Sequence, residues 1–295
     1  MIHVRKHDES FPFSRGILAR SIATTGLPIG TIYEMVTSIH EELQAEGVET
    51  IDSKKLRKRV CEELRSRGYR KHEKHYLIGR RMAALDKPVI VLIGGATGVG
   101  KSVIAAELSN RFGIERVVGT DALREIMRYM VPEDLMPELH ASSFETETAV
   151  RNPFVEDPLI YGFSQQATLV CEGARAFIQR SKKEGLSAVV NGVHLVPGHL
   201  RPDIAEGRVH LFHYMLGLSD KAEHEQRFRL RARNSNRDPQ RYISEVEDIR
   251  RIQDYMRRMA DEHDVQWIEN DDLERTITTI LTDVTTTVEQ EVRAE

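Results

Sequence analysis

The order of apolar and polar positions changes character near residue 85. Up to residue 80, apolar side chains recur at helical spacing. Ser14 can cap a helix whose Ile17, Leu18 and Ile22 share a face before Gly26 ends it. Thr31 and Glu34 spell a capping box beside Ile32, Met35, Val36, Ile39 and Leu43, with Gly47 as terminator. A third stripe, Leu56, Val60 and Leu64, runs to Gly68. This predicts a mainly helical module over 1–80, followed by a connector at 81–88 in which Pro88 suits the start of a strand better than its interior.

From Val89 to Ile93 the apolar run is continuous, as expected of a strand covered on both faces. Glycines then lead into an amphipathic helix from Ser102 to Phe112. Further apolar runs at Val117–Val118, Ala188–Val190, His210–Leu216 and Val265–Ile268 alternate with helical stretches. The pattern predicts an α/β domain over 86–295, with a doubly wound, mainly parallel sheet and crossover helices.

Composition narrows the class. Of 295 residues, 40% are hydrophobic before the 19 glycines are added, enough for a sizeable core. No stretch approaches the roughly 18 apolar residues of a membrane span, and the N-terminus lacks a signal-peptide apolar core. Cys61 and Cys171 lie far apart with no metal-ligand spacing, so both read as reduced thiols of a cytoplasmic protein. Residues 1–88 hold 17 Lys and Arg against 12 Asp and Glu, whereas the remainder holds 25 against 34. The one short basic cluster, Lys54 to Arg59, reads as a solvated helix face, so neither nucleic acid nor membrane is an expected partner.

Candidate chemistry begins at Gly95-Ala96-Thr97-Gly98-Val99-Gly100-Lys101-Ser102, which matches GxxxxGK[ST] between a predicted strand and a predicted helix. Glycines let backbone N–H groups converge on phosphate oxygens, and the helix N-terminus adds partial positive charge. That charge contributes about 0.3 to 2 kcal/mol, so Lys101 must supply a full charge to the β- and γ-phosphates, and Ser102 a hydroxyl to Mg2+. No NKxD segment is present to read guanine, which makes ATP the expected nucleotide.

The second predicted strand ends in Thr120-Asp121. Strand carboxyl ends face the ligand crevice in this architecture, so Asp121 can accept the proton of an attacking hydroxyl, or simply cap a helix from Ala122. Arg124 can hold an anionic substrate, with Arg128 on the same face. Pro132, Pro137, Pro153 and Pro158 punctuate 131–164, a segment suited to closing over substrate, where His140, Ser142, Ser143 and Arg151 can bind carboxylate or phosphate oxygens. His194, just past the third strand, reads either as a further substrate contact or as a structural histidine satisfied within the fold. Arginines from Arg227 through Arg229, Arg231 and Arg233 to Arg237 and Arg241 suggest two helices joined by a turn that closes over the γ-phosphate, with Arg229 and Arg233 as the expected participants.

This combination resembles the P-loop kinases of the nucleoside-monophosphate-kinase type. The segments Phe13-Ser14-Arg15-Gly16, Leu139-His140-Ala141-Ser142-Ser143, Ile160-Tyr161-Gly162-Phe163, Gly192-Val193-His194-Leu195-Val196-Pro197-Gly198 and Ile249-Arg250-Arg251-Ile252-Gln253-Asp254-Tyr255 are similar to the archaeal 2-phosphoglycerate kinase family over nearly the whole chain. The resemblance implies transfer of the ATP γ-phosphate to the 3-hydroxyl of 2-phosphoglycerate, a small phosphorylated acid. It also implies an ATP-cone-like nucleotide-responsive module, matched by Val4-Arg5-Lys6 and Phe13-Ser14-Arg15. One position departs from the family pattern: Asn191 ends the third strand where an acidic residue would help hold Mg2+ through water. The residues alone also admit a kinase for another phosphorylated polyol or acid, and a non-catalytic ATP-responsive regulator.

Overall fold

The computed structural model describes residues 2–6, 9–200, 204, 206–232 and 238–294. Contacts divide the chain into two compact units, Met1–Asp86 with Asn110–Ile114, and Lys87–Ser109 with Glu115–Glu295.

The first unit combines strands β1 (His3–Lys6), β2 (Glu9–Pro12) and β3 (Thr50–Asp52) with helices α1 (Arg15–Ala23), α2 (Ile29–Ala45), α3 (Ser53–Ser66) and α4 (Arg70–Met82). Its sheet runs β2-β1-β3, antiparallel on one side of β1 and parallel on the other. The strands escape a periodicity reading because they are short and largely solvated. Ser14 caps α1 as expected, accepting from the Ile17 amide at 3.3 Å. Leu18 and Ile22 are buried but Ile17 is 72% exposed, which narrows the predicted face. Helix α2 starts two residues before the expected capping box, behind Pro28, and that box is not formed. Its stripe from Ile32 to Leu43 nevertheless packs with Val60, Leu64 and Tyr76 in one core. Helix α4, charge-rich and therefore without a clear stripe, takes the first two residues of the expected connector.

The second unit opens with β4 (Val89–Gly95), buried throughout, and with α5 (Lys101–Phe112) as far as Ser109. There follow β5 (Arg116–Gly119), α6 (Thr120–Met130), α7 (Pro137–His140), a 3-10 turn (Thr146–Ala149) and α8 (Pro158–Lys183). The chain continues through β6 (Ala188–Gly192), β7 (His210–Gly217), α9 (Lys221–Ala232), α10 (Pro239–Ser244), α11 (Val246–Glu262), β8 (Gln266–Glu269) and α12 (Leu273–Ala294). The five strands run β5-β6-β4-β7-β8 and every pair is parallel. This is a doubly wound, all-parallel sheet, with the first strand of the unit at its centre. Ile90, Leu92 and Val190 pack with Ala174 and Ile178 of α8, so alternate β4 residues are shared between the two faces. Gly119 pairs with Asn191 and Asn191 with Ile93, which brings the carboxyl ends of β5, β6 and β4 to one edge.

Candidate phosphoryl-transfer site

At that edge, residues 96–100 turn from β4 into α5. Gly98 and Gly100 sit at φ +93 and +96, where a side chain is strained. A Cβ on Gly98 would lie 2.5 Å from Phe228 Cε1 and 2.7 Å from His224 Nε2, and one on Gly100 would lie 2.6 Å from Asn270 Nδ2. The open sides of these glycines are filled by α9 and by the turn after β8. His224 Nε2 donates to the Thr97 carbonyl at 2.7 Å, and Asn270 Nδ2 to that of Val99 at 2.7 Å. Arg227 Nη1 also donates to Val99 at 3.3 Å, while its Nη2 donates to the Asn270 carbonyl at 2.5 Å. These donors hold the loop by its carbonyls. A helix N-terminus directs its partial positive charge outward, which suits the head of α5 to an anion.

Lys101 Nζ reaches back across the loop to the Ala96 carbonyl at 2.6 Å. The Ser102 hydroxyl donates to Asn191 Oδ1 at 3.3 Å, and Asn191 Nδ2 donates to the Val118 carbonyl at 3.4 Å. Sequence positions 89 apart are thus joined by sheet register alone.

Helix α6 begins at Thr120, with Gly119 as its N-cap. Asp121 consequently lies exposed in the first turn and does not cap a helix from Ala122. One turn on, Arg124 Nη1 donates to the carbonyls of Leu139 at 3.2 Å and Ala141 at 2.9 Å. Burial draws its guanidinium below the ordinary value, and the Asp121 charge opposes that shift. Asp121, Arg124 and Lys101 all lie near enough for their charges to act on His194.

His194 itself requires a correction. It is completely buried, with Nδ1 2.8 Å from Thr120 Oγ1 and Nε2 3.0 Å from Gln166 Oε1, so its ring does not contact substrate. Burial first of all pushes its pKa down to about 3 and keeps it neutral. His140 is likewise occupied within the fold, its Nε2 donating to the Val131 carbonyl at 2.9 Å. The Ser142 hydroxyl accepts from Arg241 Nη2 at 2.8 Å, beside the Arg241–Glu145 ion pair, and Ser143 is buried. Arg229 also departs from expectation: it is more than half exposed and pairs at 3.4 Å with Glu225 along its own helix. Two residues along a helix turn the side chain by about 200°, so Arg227 faces the loop and Arg229 faces away. Arg233 and Arg237 lie outside the described residues. The sequence reading missed Gln166, His224, Phe228 and Asn270. The first has no local signal, whereas His224, Arg227 and Phe228 carry one in their i, i+3, i+4 spacing.

No helix among the described residues is long and apolar enough to cross a membrane. No protein-family profile matches the chain. Among solved structures, a shikimate kinase from Acinetobacter baumannii superposes with a TM-score of 0.42 at 16% identity, over 70% of this chain and 98% of that one. A gluconokinase from Sinorhizobium meliloti gives a TM-score of 0.40 at 14% identity, over 72% and 99%. Sequence comparison reaches further. The 2-phosphoglycerate kinase of Thermococcus kodakarensis is 40% identical over 279 residues, covering 95% of this chain and 94% of its own. Those of Pyrococcus furiosus and Methanocaldococcus jannaschii are 41% and 37% identical, each over 96% of this chain and more than nine-tenths of theirs. With 95–96% of its length matched at about 40% identity, the chain belongs to the 2-phosphoglycerate kinase family.

Proposed function

We propose that this chain transfers the γ-phosphate of ATP to the 3-hydroxyl of 2-phosphoglycerate, giving ADP and 2,3-bisphosphoglycerate, a precursor for cyclic 2,3-diphosphoglycerate synthesis. The observation that carries the reading is Asp121 in the first turn after β5, in register beside the Ser102–Asn191 pair at the head of α5. Asp121 accepts the hydroxyl proton as the acceptor oxygen bonds to the γ-phosphorus and the bond to the β,γ-bridging oxygen breaks. Lys101 and the α5 amides hold the phosphate charge. Arg124, with Arg128 one turn on, supplies positive charge for the acceptor's anionic groups; Arg128 Nε is buried without a partner among the described residues.

The oxygens of Ser102 and Asn191 suit a hard cation that keeps most of its water, and Mg2+ bound there would neutralise charge on the phosphates. Among the described residues no three His, Cys, Asp or Glu side chains form a cage, which fits a metal held chiefly by nucleotide phosphates. In the first unit, a cavity of about 260 Å3 lined by Lys6, Phe11, Phe13, Arg57, Tyr76 and Arg80 supports the ATP-cone-like reading. Arg80 Nε is buried there without a partner among the described residues. Buried reduced Cys61 and Cys171 accord with a cytoplasmic setting.

ADP release from Mg-ATP, measured with and without 2-phosphoglycerate, tests the central claim. Strong stimulation is expected, and unchanged release rejects this acceptor and moves the search to other phosphorylated polyols and acids. Deleting residues 1–80 is expected to leave catalysis with an altered dependence on ATP concentration. A regulator without transfer activity would show no acceptor-dependent turnover at all.

A further inference from the structure

We propose that His194 is a positioning residue: through Thr120 and Gln166 it ties the helix turn that carries Asp121 to the 138–141 turn, and so fixes the acceptor relative to the carboxylate. The inference rests on the acceptor reading above.

The polarity of the tie is forced by its ends. Gln166 Nε2 donates to the carbonyls of Glu138 at 2.5 Å and Ala141 at 3.0 Å, which leaves Oε1 as the acceptor. His194 Nε2, 3.0 Å away, therefore carries the proton. A neutral ring then has only a lone pair at Nδ1, and the Thr120 hydroxyl donates to it at 2.8 Å. Thr120, His194 and Gln166 are all fully buried. In a dry interior a half-broken network leaves unpaired donors, so the satisfied arrangement is strongly selected.

The surroundings are shaped around this tie. A Cβ on Gly192 would lie 1.7 Å from Thr120 Oγ1, so the glycine at the end of β6 is what admits the hydroxyl. Cys171 Sγ donates to the His194 carbonyl at 3.0 Å and anchors its backbone. Arg124 lies four residues after Thr120, on the same face of α6, and donates to the same Ala141 carbonyl. One helix turn thus grips the 138–141 segment twice, directly through Arg124 and indirectly through His194 and Gln166, with Asp121 between the two anchors. Phosphoryl transfer depends largely on positioning, and a shift of about 1 Å can cost on the order of 100-fold in rate.

The test compares Thr120→Val, which keeps shape but removes the donor, and Gln166→Leu, with Thr120→Ser as the conservative control. The full chain is assayed for KM and kcat toward both substrates, and for amide hydrogen exchange across 138–141 with no acceptor present. Expected is a fall in kcat/KM toward the acceptor of about tenfold, the factor for one buried hydrogen bond, shared between a higher acceptor KM and a lower kcat, with ATP KM within about twofold. Exchange at 138–141 rises in both variants, and Thr120→Ser restores all of these values. Wild-type kinetic constants with unchanged exchange would overturn the proposal. So would a lower melting temperature with kinetic constants per folded molecule intact, the mark of a merely structural role. Should wild type show no acceptor-dependent ADP release, the acceptor reading fails by itself, and the exchange comparison still decides whether the tie holds the turn.

Discussion

Replacing Gly98 with Ala tests whether α9 is built onto the phosphate loop. At φ +93 an alanine is strained by roughly 1 to 2 kcal/mol. Its methyl group would also arrive 2.5 Å from Phe228 Cε1 and 2.7 Å from His224 Nε2, side chains that are 2% and 0% exposed. Neither ring has room to retreat. They stack on each other at 5.0 Å, Phe228 stacks on Tyr242 at 5.4 Å, and His224 is held by the Thr97 carbonyl. Overpacking of this kind adds about 1 to 3 kcal/mol, for a total loss of about 2 to 5 kcal/mol. The assay is equilibrium urea unfolding followed by fluorescence of Trp267, the only tryptophan, which lies in β8 of the same unit. In a Phe228→Ala background the overlap with that ring is removed, and Gly98→Ala should cost its backbone strain plus the remaining contact with His224. A coupling of about 1 to 3 kcal/mol between the two substitutions is therefore expected. Additivity within about 0.5 kcal/mol would refute the argument that the ring occupies the glycine's open side.

Asp121→Asn should lower kcat by on the order of 100-fold or more while leaving ATP KM within about twofold, as steady-state kinetics with both substrates varied would show. Asn191→Asp places a carboxylate beside Ser102, and the Mg2+ concentration giving half-maximal activity should fall by roughly severalfold in a metal titration. The buried His194 supplies a pH dependence. Because its pKa falls from 6.5 unfolded to about 3 folded, the unfolded state takes up a proton first as pH drops. Stability from this group is complete above pH 6.5 and is lost as pH falls toward 3, with a slope approaching about 1.4 kcal/mol per pH unit. Urea midpoints between pH 7 and 4 should decline less steeply in His194→Gln than in wild type.

The linear order of residues was enough for the parts of this protein that depend on near neighbours. The continuous apolar run of β4, the glycine loop after it and the Lys101–Ser102 start of α5 are contiguous, so strand, turn and helix N-terminus are written in one stretch. The same holds for the buried stripe of α2, where the periodicity was sound even though the helix began earlier than its capping pattern implied. Strands β1 and β2 were illegible because four solvated residues show no alternation.

Only the tertiary structure decided which candidate side chains meet. His194 lies 74 residues from Thr120, and Arg241 lies 96 from Glu145; each pairing is set by strand order and helix placement, which local pattern does not encode. Arg227 and Arg229 are chemically identical in sequence, yet only Arg227 bonds to the phosphate loop, because helical rotation gives the two opposite surroundings. Burial made a similar choice at His194, converting a substrate-contact candidate into an interior hydrogen-bonded ring. A sequence specifies which groups exist and which share a face; desolvation and long-range packing assign each group the partner that determines its chemistry.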